Sequence, residues 1–274
     1  MIYGLIAAIG WGVADVTGAI TGRRIGSLWV VLAAQSFSAA VVTVIAVASG
    51  QQLAAAGALI GWIVLNAVFS ATAYITHYRA LELGPLAVVS PVGATYALVG
   101  VVLAVLVLGE RPSIGIIIGG IVTVLGVMLT STDLRKLRDG THTMPPGLPW
   151  AIVSAVGFGV GGLTLAKLSQ DLGWQLGLWS SRLAQLVAFV AVGIAWREKQ
   201  LHGRFLAGPA VVAALTVGAE AGFVIPVLIA SAVFPLIAVA LSVAFLHERP
   251  VPNQYVGVVL TVVGLLIVGI SAAG

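Results

Sequence analysis

Apolar stretches long enough to cross a membrane follow one another along the chain, interrupted only by short runs of charge, Gly and Pro. A spanning helix needs about 20 mostly apolar residues. Ten segments are read as spans: 2–21, 28–49, 58–80, 86–108, 114–131, 148–168, 174–195, 207–222, 223–245 and 253–271. The most polar stretch, 132–147, carries Asp133, Arg135, Lys136, Arg138 and Asp139, then Pro145-Pro146. It is read as a linker between two halves.

The halves repeat each other. Residues 8–39 reappear at 155–186 without a gap, so that Gly10, Gly12, Thr17 and Gly26 fall on Gly157, Gly159, Thr164 and Gly173. Near the ends, Gly109-Glu-Arg-Pro112 matches His247-Glu-Arg-Pro250, and Gly119, Thr123 and Gly126 match Gly257, Thr261 and Gly264. The expected fold is therefore an all-α membrane protein of ten transmembrane helices. Its repeats are 1–131 and 148–274. Five helices is an odd number, so the second repeat must enter the membrane inverted, and such pairs support two pseudo-equivalent states open to opposite sides. The second repeat is about nine residues shorter, the shortfall lying near 220–225. Two readings stay open there: residues missing from the sequence, or a short eighth helix broken near Gly222.

Composition agrees with lipid as the main solvent. Of 274 residues, 60% are hydrophobic and 8% charged, against roughly 25% charged in soluble domains. The net charge of +4 lies in short loops and gives no sign of nucleic acid binding. Ten Lys and Arg residues follow the odd-numbered helices. The positive-inside rule places that side in the cytoplasm and both termini outside, in a multi-pass plasma (inner) membrane protein. With no cysteine, disulfides and thiolate metal sites are excluded. The N-terminus lacks the basic start and small-residue cleavage site of a removable signal peptide. No phosphate loop, zinc helix or nucleophile elbow is present, so no cofactor, metal or enzymatic activity is expected.

Three charges fall well inside predicted spans: Asp15, Arg182 and Glu220. Each costs roughly 2.5–3.5 kcal/mol or more at a helix centre, so each is expected to face the bundle interior or a water-filled cavity. Asp15 is read as a carboxylate that binds a cationic group and exchanges a proton. The alternative is a structural carboxylate satisfied by Thr17, Gln35 or Arg182. Arg182 aligns with Gln35, and both are read as substrate-binding; Arg182 is suited to pairing with a substrate carboxylate, or to locking Asp15 or Glu220. Glu220 is the second candidate for proton coupling. Trp11, Tyr74, Tyr96, Phe158 and Trp179 are candidate walls of a substrate cavity, with packing or interfacial belts as the plainer reading. His77, next to Tyr78 and Arg79, is expected at the membrane surface rather than in a proton relay. Pro91, Pro226 and Pro235 interrupt helices four and nine, and the glycine rows of helices five and ten read as tight-packing stripes.

With the repeats, Trp11-Gly12 and the Gly109-Glu-Arg-Pro112 turn in hand, the chain resembles the drug/metabolite transporter superfamily, specifically its ten-helix members built of two EamA domains. Tyr78-Arg79-Ala80-Leu81, Gly84-Pro85 and Val88-Val89-Ser90-Pro91 are similar to the family's stretch across helices three and four. The resemblance implies export of small metabolites, amino acids or drugs through a central cavity lined by the first four helices of each repeat. The expected function is a secondary transporter exporting small organic metabolites such as amino acids, by alternating access, with proton coupling as one option. A multidrug exporter of hydrophobic cations, and a non-transporting sensor or assembly subunit, are the alternatives; an intramembrane enzyme lacks a recognisable nucleophile–base pair. Expected partners are a small-molecule substrate and the lipid bilayer, with the protein a monomer or weak homodimer.

Overall fold

A computed structural model describes residues 2–108, 112–140, 143–196 and 234–273, and every regular element among them is helical. The first half contains α1 (Ile2–Ile25), α2 (Ser27–Ala48), α3 (Ile60–Leu83), α4 (Leu86–Ala94), α5 (Tyr96–Leu108) and α6 (Ile114–Ser131). After α7 (Leu134–Arg138) come α8 (Leu148–Leu172), α9 (Trp174–Trp196), α10 (Phe234–Leu241) and α11 (Pro252–Ala273). Seven helical stretches among the described residues are long and apolar enough to cross a membrane. The chain is an integral, multi-pass membrane protein.

Most expected spans coincide with a helix to within a few residues. Four differences stand out. The predicted span 86–108 is two helices meeting at Thr95, whose N–H bonds the Val92 carbonyl at 3.1 Å and so tightens the last turn of the first one. The third span begins with a 3₁₀ turn, Leu53–Leu59, and runs on to Leu83. The predicted linker holds the short α7, because Asp133 accepts the Arg135 N–H at 3.0 Å and starts a turn. The last turn of the ninth span, Ser242–Leu246, is a π-turn ending at His247, whose φ is 57°. The segment 207–222, Glu220, Pro226 and the shortfall near 220–225 all lie outside the described residues.

Two matched glycines do the same job. Gly26 separates α1 from α2 at φ 86°, and Gly173 separates α8 from α9 at φ 80°. A side chain at either position would be strained, so glycine permits a one-residue turn between long helices.

The tightest seam joins α6 to α11. A Cβ on Gly119 would lie 2.8 Å from the Gly264 carbonyl oxygen, and one on Gly126 would lie 2.8 Å from the Gly257 carbonyl oxygen. Glycine lets the backbones touch there, and packing is what drives helices together in lipid. Residue numbers rise along α6 as they fall along α11, so the two run antiparallel. The opposite face of α6 is bare: Ile117, Ile118, Ile121, Leu125 and Met128 are all exposed. Such a surface belongs against acyl chains. Helices α2 and α9 are also antiparallel, with Val42 packed on Leu178 and Leu32 beside Gly193. The main core is where α1, α3 and α4 meet α9, around Leu81, Leu86, Val88, Val89 and Phe189.

Candidate functional site

Asp15 lies near the midpoint of α1 and is 5% exposed. His77 Nε2 of α3 stands 2.9 Å from its Oδ1, and the Ser90 hydroxyl of α4 donates to its Oδ2. The partners anticipated from sequence are engaged elsewhere. Thr17 donates back to the Val13 carbonyl at 2.7 Å, and Gln35 accepts from Arg182. Placement of His77 at the membrane surface is corrected: it is 8% exposed, inside the bundle. The cause is helical geometry. Tyr74, His77, Tyr78 and Leu81 recur at spacings of three and four, so they share one face of α3, and all four are buried. Arg79 points the other way and pairs with Glu82 at 2.8 Å.

Aromatic rings continue from this cluster. Phe158 of α8 meets Tyr74, His77 and Tyr96 edge to face, with centroids 4.9, 5.7 and 6.4 Å apart. Trp11, one turn before Asp15, meets Tyr96 at 6.3 Å and Phe234 at 5.8 Å. Trp11, Tyr96 and Phe158 are each only partly buried. Trp179 does not join them. Its indole N–H reaches Thr43 Oγ1 at 3.2 Å, among Leu165, Val42 and Leu178.

Arg182 lies near the middle of α9 and is 2% exposed. Nη1 donates to Gln35 Oε1 at 3.0 Å and to Gln185 Oε1 at 3.1 Å, and Nη2 donates to Tyr74 OH at 3.1 Å. The network extends through Gln185 and Ser181 to Asn66, whose amide nitrogen donates to the Gly161 carbonyl at 2.8 Å and to Thr164 Oγ1 at 2.9 Å. Sequence reading missed Asn66, Ser181, Gln185 and Ser90. An amide in the middle of the Val64-Leu65-Asn66-Ala67-Val68 run was the available signal, since such a group must find partners across helices.

Tyr74 joins the two clusters: its hydroxyl takes Arg182, and its ring packs on Phe158 beside His77. The arrangement can hold a proton at the Asp15 end and an anion at the Arg182 end. Its neutral walls could enclose an organic body. A separate groove of about 490 Å³ between α5 and α6, lined by Leu98, Val102, Ile117 and Ile121, is apolar and lies away from these groups.

One charged group closes an end of the bundle. Glu248 accepts the backbone N–H of Leu86 at 3.0 Å and of Ala87 at 3.3 Å, and pairs with Arg23 at 3.3 Å. A carboxylate at the start of α4 satisfies donors that have no partner inside the helix and complements its dipole. The first-half counterpart, Glu110, lies outside the described residues.

Among solved structures, a chain described as "Crystal structure of protein" superposes with a TM-score of 0.63 at 16% identity. The match covers 96% of this chain and 95% of that one, so the fold is shared over nearly the full length. No curated protein matches the sequence. Residues 1–132 match the model of the EamA-like transporter family, a family of transporters rather than enzymes. The matched stretch runs from the start of the chain to the end of α6, the first of its two halves.

Proposed function

We propose that this protein is a secondary transporter of the plasma (inner) membrane that exports small organic metabolites such as amino acids, by alternating access and coupled to protons. The observation that carries the reading is a buried Asp15–His77 pair halfway along a membrane helix, one tyrosine away from a buried Arg182. Ionisable groups at that depth are costly and usually serve a transport pathway. Both Asp15 oxygens already have protein partners, so its role lies in proton coupling together with His77 more than in anchoring a solute. Arg182 is assigned to the solute carboxylate. Gln35, Gln185 and Tyr74 meet it with neutral oxygens, and a carboxylate would make charge-assisted hydrogen bonds, roughly twice as strong as neutral ones. Trp11, Tyr96 and Phe158 form the walls.

Alternating access would come from two inverted five-helix repeats. In support, α6 and α11 occupy matching places in the two halves and run antiparallel, as do α2 and α9. Contacts also recur. A Cβ on Gly12 would lie 2.7 Å from Ile237 Cγ2, and one on the matched Gly159 would lie 2.7 Å from Val99 Cβ. Ile237 and Val99 are separated by the same offset as Pro250 and Pro112. Gln35 and Arg182 correspond by repeat and touch each other, as residues on a pseudo-twofold axis must. Such a partnership within one chain lets a monomer suffice.

The test is amino acid flux in proteoliposomes under an imposed proton gradient. Asp15→Asn is expected to abolish gradient-driven flux; unchanged transport at every pH would sink the reading. A second reading, export of hydrophobic cations, is favoured by the half-buried aromatic faces, which attract cations. Arg182→Gln separates the two, since it should spare cation transport and abolish amino acid transport. Glu220, the other proposed proton site, is tested by the same assay with Glu220→Gln.

A further inference from the structure

We propose that His77 carries the coupled proton, on Nδ1, and that Asp15 serves to fix the ring for that task. The inference rests on the proton-coupled reading above and names the atom. An ionised carboxylate only accepts hydrogen bonds. Ser90 already donates to Oδ2, so the hydrogen shared across the 2.9 Å contact with Oδ1 belongs to His77 Nε2. The neutral ring then carries its lone pair on Nδ1. That nitrogen is buried and has no hydrogen-bond partner among the described residues. The reverse tautomer would bury an unpaired N–H donor, which folded proteins avoid more strictly than an unpaired acceptor.

On its α4 side that nitrogen faces a glycine. A Cβ on Gly93 would stand 3.5 Å from Nδ1, so glycine keeps side-chain atoms of α4 away from it. Phe158 and Tyr78 hold the ring edge to face, with centroids at 5.7 and 5.8 Å. The ionisable groups around the ring among the described residues are Asp15 from α1, Tyr74 and Tyr78 from α3, Tyr96 from α5 and Arg182 from α9. The adjoining stretches of α4 and α8 supply Ser90, Gly93 and Phe158, none of which ionises. A proton arriving at Nδ1 converts a neutral imidazole beside a carboxylate into an imidazolium–carboxylate pair. The Asp15–His77 pair thereby passes from one net negative charge to none, with no covalent bond made or broken apart from N–H.

His77→Gln tests this, because the Gln amide can still donate to Asp15 from the position of Nε2 but offers no titratable nitrogen. In proteoliposomes, proton-driven accumulation of labelled amino acid should be lost, while exchange of labelled for unlabelled amino acid persists. Accumulation retained by His77→Gln would overturn the assignment. A wild-type protein that exchanges but never accumulates would instead sink proton coupling itself. A second measurement needs no variant to fold. In ¹⁵N-histidine spectra of the wild-type protein, which has four histidines, His77 should show a bare Nδ1 that gains a proton on acidification. An Nδ1–H tautomer with a bare Nε2 at any pH would overturn the proposal.

Discussion

The two buried polar clusters solve the problem of charge in lipid differently. Around Asp15, one charge is met by two side chains, His77 and Ser90, and one imidazole nitrogen has no partner among the described residues. Around Arg182, the charge is spread into amide and hydroxyl groups from three helices, through Gln35, Gln185, Tyr74 and Asn66. The second arrangement ties helices together, because each member holds several others. The first is compact, with few bonds to break when a proton moves. Under the proposed reading, the Asp15 cluster is the one that changes state, while the amide network beside Arg182 keeps the helices in register.

The sharpest test removes a member of the rigid network. Asn66→Leu deletes four hydrogen bonds, to Gly161, Thr164, Ser181 and Gln185. At about 0.6 kcal/mol for each interhelical bond in a membrane, the loss is about 2 kcal/mol. Thermal unfolding in detergent should show it, with the pH profile of transport unmoved. Asp15→Asn should do the reverse, lowering stability by about 1 kcal/mol while removing pH dependence. A larger stability loss from Asp15→Asn than from Asn66→Leu would break the contrast. Ser90→Ala removes one donor from Oδ2 and should cost about 0.6 kcal/mol by the same scale. Its sharper readout is the proton-driven component of flux, which should weaken without loss of exchange. The smallest effect is expected from Glu248→Gln at the end of the bundle, about 0.5 kcal/mol from the start of α4. That loss should shrink at high salt, because Arg23 is about one-third exposed. Salt sensitivity at Asn66 or Asp15 would contradict their burial.

Much of the architecture was legible from pattern alone. Long apolar runs became helices, and the paired glycines of helices five and ten became a seam. The burial of Asp15 and Arg182 followed from the cost of lipid-exposed charge. Their partners did not follow. Hydropathy places a residue along a helix but does not say which neighbour it meets, so Asp15 was offered Thr17, Gln35 or Arg182 when His77 and Ser90 hold it. His77 was misjudged because Arg79, two residues on, suggested a membrane boundary. Yet α3 runs to Leu83, and its period-3.6 face carries His77 inward while Arg79 turns outward to Glu82. The Glu-Arg-Pro motif was visible as a repeat, but its physical purpose, capping α4, needed the three-dimensional contact.

The Glu248 clasp also constrains biogenesis. Leu86 and Ala87 obtain their carboxylate from a residue more than 160 positions downstream. At a synthesis rate of about 5–20 residues per second, α4 waits on the order of ten seconds or more between its emergence and that of its cap. During the wait its first amides need another acceptor, from water or lipid headgroups at the bilayer surface. The first half therefore enters the membrane with one helix end provisionally wet, and the closing stretch of the polypeptide seals it.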